Sequence, residues 1–361
     1  MELLRRRREA ILRPEMNQGP LQMNPARKPQ GLGNLAGLIA VSSLLLVVFA
    51  APLRAGKVTP IPVTGCGLLK QSYGVYLVAN DISINGTATC LTITGTSVSL
   101  NFQGHNLTGS SGKGIGVRVG NTGALIENGT ITGFTTGISA SGSNKLVITN
   151  MQVSGNTDGL VASSSNNIAV SQSTFTGNLN TGVSLLSSSG GNFADDEIGG
   201  NSTGLYLFLS SGLHINVCAI GTGAGGPNLK AGIYLNRSDN NALIFSAMAA
   251  SQGYGVWLVR SDQNRFEQTG AHGYLAGIFV GCSSTGPGGG SCSPAGSTGN
   301  TFVRTEGDAT NGPGIAIDQG NTSNRVIDCE TTGTMFDGNA NCDNNTWSLN
   351  SFSSANQPCI N

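Results

Sequence analysis

Charge is scarce in this sequence: Asp, Glu, Lys and Arg make up only 11% of its 361 residues. Aromatic residues are scarcer still at 6%, and there are three histidines. A chain so short of charge and 38% hydrophobic does not have the composition of a disordered one. Its 54 glycines follow no Gly-X-Y period, which excludes a collagen helix. From Gly56 onward, 11 basic residues against 16 acidic ones leave a net charge of −5 with no basic stripe, so nothing provides an electrostatic footprint for nucleic acid. With few histidines and no Cys-x-x-Cys or Cys/His spacing, a histidine- or thiolate-based metal site is not expected.

Long hydrophobic runs are also missing, with one exception. Residues 35–51 (LAGLIAVSSLLLVVFAA) follow Arg27 and Lys28 and lead into small residues at Ala50, Ala51 and Ala55, the layout of an export signal. Residues 1–55 are therefore expected to be a basic leader carrying a signal peptide or a membrane anchor, with membrane contact only if that leader stays uncleaved. The expected location is secreted, periplasmic or cell-surface. All eight cysteines lie beyond the leader, as an oxidising compartment permits. Cys66 with Cys90, Cys282 with Cys292 and Cys342 with Cys359 are the expected disulfides, because each pair closes a short segment at a cap or loop. Cys218 and Cys329 share a repeat column but lie about four coils, ~19 Å, apart, and are expected to be buried thiols.

What the chain has in abundance is a repeat. Glycine followed by an aliphatic residue recurs at Gly116, Gly137, Gly159, Gly182, Gly204, Gly232, Gly255, Gly277 and Gly314, at intervals of 21, 22, 23, 22, 28, 23, 22 and 37 residues. The two long intervals mark insertions at 221–231 and 282–299. Inside a coil, short alternations such as Ile138/Ala140 and Ile233/Leu235 read as β-strands, and a second strand follows an Asn-x-apolar signal, as in Asn166/Ile168 and Asn264/Phe266. Gly-rich corners such as Gly155-Asn156-Thr157-Asp158-Gly159 suit left-handed backbone angles. The spacing predicts an all-β, right-handed parallel β-helix of about eleven three-strand coils, with a cap at 56–90, the solenoid at 91–340 and a second cap at 341–361.

This pattern, with an opening like TCLTITGTSVSLNFQGHNLTG (89–109), resembles right-handed parallel β-helix repeat proteins of the pectate-lyase-like superfamily over about residues 66–361. The resemblance implies extracellular polysaccharide as the usual partner and, if the chain is an enzyme, lyase-type chemistry. The alternative is a non-enzymatic surface, structural or adhesion module. Asp195-Asp196 and Ala271-His272-Gly273 are similar to the paired acids and Gly-His-Gly of polygalacturonases. Here, however, 77 residues, more than three coils or ~16 Å, separate acid from histidine, and that reading is set aside.

Two groups of candidate site residues remain. Arg237-Ser238-Asp239-Asn240-Asn241 and Arg260-Ser261-Asp262-Gln263-Asn264 lie 23 residues apart and should stack as neighbours. In lyases of acidic polysaccharide, carboxylates can hold Ca²⁺ while arginine assists proton abstraction, so Arg237, Asp239, Arg260, Asp262 and nearby His272 are the catalytic candidates. The plain alternative is a turn in which each Asp accepts backbone N–H groups. These residues make no cofactor certain, and Ca²⁺ is the candidate they offer. The second group is the residue two after each repeat glycine, which should face outward: Arg118, Ser139, Val161, Ser184, Tyr206, Tyr234, Trp257, Phe279 and Ala316. Tyr206, Tyr234, Trp257 and Phe279 would then form an aromatic stripe for stacking on sugar rings, adjoined by Tyr254 and Tyr274, unless insertion 282–299 folds over it. Asn128, Asn150, Gln172 and Asp195 should stack at one corner as a structural ladder.

Overall fold

A computed structural model describes residues 59–361 apart from 111, 121, 122, 284, 285, 293 and 294. The leader expected over 1–55 lies outside the described residues. From residue 59 the chain winds as a right-handed parallel β-solenoid of about twelve turns, one more than the spacing suggests. Each turn contributes strands to three sheets. Sheet I has thirteen parallel strands, from Gly67–Leu69 to Ser354–Ala355, and carries the Gly-aliphatic repeat. Sheet II carries the Asn-x-apolar strands and runs on into sheet III around a single bend, so that two strands, Ala124–Thr132 and Leu146–Ser154, each serve both. The only helical turn among the described residues is a 3₁₀ turn at Ala340–Cys342.

Register explains the core. In sheet I, Ile138, Leu160, Val183, Leu205, Ile233, Val256, Ile278 and Ile315 pair in one unbroken column, all fully buried. Each such side chain contributes about 1.5–3 kcal/mol on burial. A coil with no neighbour would leave half of that contact unmade, so the stack holds only as a stack.

The corners show why glycine and asparagine recur. The repeat glycines of sheet I are there for space: a Cβ on Gly204, Gly232 or Gly255 would stand 2.5, 2.6 or 2.7 Å from the carbonyl oxygen of the next repeat glycine. Left-handed angles are instead taken by Gly155 (φ 64°) and Gly200 (φ 65°), one residue before the corner asparagines. Those asparagines, expected to adopt such angles themselves, turn inward. Asn156, Asn178, Asn201 and Asn228 form a buried ladder in which each Oδ1 accepts the backbone N–H of the asparagine one coil before.

Two more buried ladders close the corner between sheets I and II. Ser143, Ser165, Ser188, Ser210, Ser238, Ser261 and Ser297 pass backbone N–H to side-chain Oγ from coil to coil. Asn241, Asn264, Asn300, Asn324 and Asn345 do the same with amide oxygens. Backbone donors that leave the sheets at a corner are thus satisfied one per coil. At the bend between sheets II and III, Asn128, Asn150, Gln172 and Asp195 stack as expected, all with left-handed φ. The hydrogen bonding there is thinner than expected: Asn150 Nδ2 donates to Asn128 Oδ1 at 2.8 Å. The buried ladder at that bend runs through the next residue of each coil, with the Ser173 N–H donating to Asp196 Oδ1 at 2.9 Å.

Cys66–Cys90, Cys282–Cys292 and Cys342–Cys359 are the disulfides, and Cys218 and Cys329 are buried thiols. The first and third bridges lie in the end caps. The second closes the insertion after sheet I strand Ala276–Val280.

Candidate functional site

The outward column of sheet I runs in register from Arg118 through Ser139, Val161, Ser184, Tyr206, Tyr234, Trp257, Phe279 and Ala316 to Phe336. Phe336 escaped the sequence reading because the glycine of its coil, Gly333, stands one position early, shifting the frame by a residue. Tyr206 and Tyr234 stack with centroids 5.2 Å apart and planes 29° apart, and Tyr234 and Trp257 with centroids 4.4 Å and planes 12° apart. Flat rings that close and that parallel cannot lie side by side in one plane without overlapping, so they overlap face on, in offset stacks. Both faces of Tyr234 are therefore covered by its neighbours. The stripe is a row of rings stacked on one another, so Tyr234 offers no free face.

The C-terminal end of the column is closed. Phe279 and Ala316 are fully buried, the alternative to an open stripe, and Ser184, also expected to face outward, is only 6% exposed. Tyr254, expected on an open corner, is 2% exposed and packs at 5.0 Å from Phe279 and 4.9 Å from Trp257. The reason is local: the residues beside Tyr254 in its own column are Ala231 and Ala276, whose small side chains leave room for the ring. Trp257 Nε1 donates to the carbonyl of Gly281, just before insertion 282–299, at 2.9 Å, and the insertion itself is tied down by Gly288 N–H donating to Asp318 Oδ1 at 2.7 Å and Cys292 N–H to the Gln319 carbonyl at 3.1 Å. Burial pushes the Asp318 carboxyl up to about 6 and, with Asp318 nearby, the Tyr254 hydroxyl up to about 12. Tyr206, Tyr234 and Trp257 stay half-exposed.

The two Arg-Ser-Asp turns do stack as neighbours, at the corner of sheets I and II. Arg237 (φ 51°) and Arg260 (φ 49°) take the left-handed position, while Ser238, Ser261, Asn241 and Asn264 are buried in the ladders. Asp239 Oδ1 accepts the Asp262 N–H and Asp262 Oδ1 accepts the Thr298 N–H, both at 2.7 Å. These carboxylates act as turn acceptors, and among the described residues no ion pair joins Arg237 to either of them. A shallow dent of about 440 Å³ lies between the arginines and the aromatic column, lined by Phe208, Asn236, Arg237, Val259, Arg260 and Cys282. Phe208 and Asn236 carried no repeat signal, as each lies two residues past the column. Asn236 Nδ2 donates to the Tyr234 hydroxyl at 3.3 Å.

His272 is elsewhere. It is exposed on sheet III strand Gly270–Gly273, in register with Ala249 and Asp308 and 3.5 Å from Thr310 Oγ1. Tyr274 is 40% exposed beyond the end of that strand. The catalytic candidates are thus split between two faces. Among the described residues, no three His, Cys, Asp or Glu side chains converge as a metal-ligand set.

The family model described as "Right handed beta helix region" matches residues 65–220. No curated protein matches the chain. Among solved structures it is similar to the Dettilon tailspike protein, at 11% identity and TM-score 0.46, covering 78% of this chain but only 61% of that one. It is also similar to the A-module of the Azotobacter vinelandii mannuronan C-5 epimerase AlgE4, at 12% identity and TM-score 0.42, covering 81% and 88%. A third is PfbA, a surface adhesin of Streptococcus pneumoniae, at 12% identity and TM-score 0.46, covering 80% and 82%. At such identities the likeness is one of fold. The coil period, the parallel sheets and the family match over residues 65–220 agree on one fold, a right-handed parallel β-helix.

Proposed function

We propose that this is an exported protein whose open sheet I face, from Ser139 to Trp257, binds an acidic polysaccharide without cleaving it. The observation that carries the reading is the pairing of a half-exposed aromatic column with the Arg237/Arg260 dent beside it. Arg237 and Arg260 leave successive coils, whose strands lie ~5 Å apart along the axis, and both line the dent, so two positive charges border it and favour an anionic ligand there. The half-exposed rings and the Tyr206 and Tyr234 hydroxyls supply the apolar and hydrogen-bonding contacts a sugar uses. Binding is preferred over lyase chemistry because Asp239 and Asp262 are engaged by backbone N–H groups and His272 is on another sheet, so acid, base and arginine do not meet at one point. Three disulfides fit folding outside the cytoplasm.

The test is retention on immobilised acidic and neutral polysaccharides, run beside a depolymerisation assay. Retention on polyuronates that weakens with salt, with no unsaturated oligosaccharide released, is expected. Arg237→Ala should weaken it by about 1.5–3 kcal/mol, the scale of a charged hydrogen bond. Release of unsaturated products would make the protein a lyase, and retention on neutral glycans alone would remove the role of the arginines.

A further inference from the structure

Sheet I is open at one end of its outward column and walled at the other. Arg118 is exposed, Ser139 and Val161 are half-exposed, and Ser184, a small side chain next to Tyr206, is 6% exposed; the long insertion lies at the other end, so the N-terminal side of the column is the more open one. From Arg118 to Trp257 the column climbs six coils, ~29 Å at the usual strand spacing. At Trp257 it meets the insertion. The indole N–H is bonded to the Gly281 carbonyl, and the next two positions of the column, Phe279 and Ala316, have no exposed surface. The wall is built into the fold: the Cys282–Cys292 disulfide closes it, Gly288 N–H is held by buried Asp318, and Ser297 N–H is held by Asn321 Oδ1 at 2.7 Å. Cys282, the first residue of the closed loop, also borders the arginine dent. The dent therefore sits at the foot of the wall.

Resting on the polysaccharide reading above, we infer that this face takes the end of a glycan chain and not an internal stretch of it. A polymer lying along the axis can reach Arg237 and Arg260 only from the open side, and it cannot continue past Trp257. The group that reaches the arginines is then the anionic substituent of a terminal sugar. An internal segment would have to cross the dent sideways, leaving the aromatic column out of register with successive sugars.

The experiment measures binding of the intact protein to linear polyuronates, polygalacturonate and alginate, each cut to short and long defined lengths. Concentrations are expressed per chain end. End recognition predicts the same affinity per chain end at every length, and loss of binding when one of the two ends carries a bulky fluorophore. Affinity per end that rises in proportion to length, or that survives capping of either end, overturns the inference while leaving the polysaccharide reading intact. Absence of binding to every polyuronate overturns both. A variant lacking Ser283–Ser291 and carrying Cys282→Ser and Cys292→Ser removes the wall and should acquire length-proportional binding. If that variant does not fold, the length series on the natural protein still decides.

Discussion

Asp196 sits where its neighbours along the same ladder are neutral. Its column at the bend between sheets II and III reads Ser173, Asp196, Cys218, Ser246, Thr269, Thr305, Cys329 and Asn350. Asp196 is 2% exposed, its Oδ1 accepts the Ser173 N–H, and its Oδ2 is buried without a hydrogen-bond partner. Further along the column the corresponding atom donates backwards: Thr305 Oγ1 to the Phe266 carbonyl, Cys329 Sγ to Phe302, and Asn350 Nδ2 to Val326. The same offset carried to Asp196 leads to the Val170 carbonyl, and no hydrogen bond joins it to Oδ2. A carboxylate there sets one acceptor against another, whereas a protonated carboxyl can donate. Burial first, then the neighbouring Asp195 charge, raise its pKa from 3.8 to about 7 against the pull of its backbone hydrogen bonds.

The sign follows. Because the folded pKa lies above the unfolded one, the native state holds the extra proton between them. The associated stability is complete below about 3.8 and declines as pH rises through about 7. A gap of about three units corresponds to about 4 kcal/mol as an upper bound. Asp196→Asn keeps the acceptor for Ser173 and supplies the missing donor, so it should resemble the natural protein at pH 4 and exceed it in stability by up to about 4 kcal/mol at pH 8. Asp196→Ala leaves the Ser173 N–H unpaired and should be less stable than the natural protein by about 1–3 kcal/mol at pH 4, but, lacking the titrating carboxyl, it should recover relative to it by up to about 4 kcal/mol as the pH rises to 8. The assay is urea unfolding of all three proteins across pH 4–9. If the gap between Asp196→Asn and the natural protein does not widen with pH, the carboxyl is not the buried, under-satisfied group described above.

The remaining predictions concern space and stacking. Trp257→Ala removes ring contacts with Tyr234, Tyr254 and Phe279 and the bond to Gly281 from a half-buried residue, so it should cost about 2–3 kcal/mol in denaturant unfolding, below the 3–5 kcal/mol of a fully buried aromatic. No loss of stability would mean that the wall stands without it. Gly232→Ala separates two explanations of the repeat glycine. If only conformational freedom mattered, alanine would stabilise by about 0.4–1 kcal/mol, but a Cβ 2.6 Å from the Gly255 carbonyl should destabilise by more than that. A rise in melting temperature would refute the steric account.

The solenoid is legible in one sequence because each coil repeats the same packing problem. Ile138, Leu160 and Val183 fill successive copies of a single site, so the period of about 22 residues is written in the side chains themselves. Ladder residues obey the same logic, but their function could not be read from spacing. Asn156 and Gly155 stand side by side at a corner, and either residue type suits a left-handed turn. Only the path of the backbone assigns the turn to Gly155 and the inward hydrogen bond to Asn156.

The candidate site tests that logic where the repetition fails. The positions of Tyr206, Tyr234 and Trp257 follow from the coil period. Whether their faces meet sugar or each other depends on side-chain angles, which the period does not specify, and at 4.4–5.2 Å the rings meet each other. Phe279 belongs to the same column and yet is buried, because the insertion after Val280 answers to no repeat and its route is set by contacts with Asp318, Gln319 and Asn321, far along the chain. The interruption is therefore where this fold acquires individuality. Twelve nearly equivalent turns could not by themselves distinguish one stretch of a bound polymer from another, whereas a single disulfide-closed insertion gives the sheet I face a direction, an open side and an end.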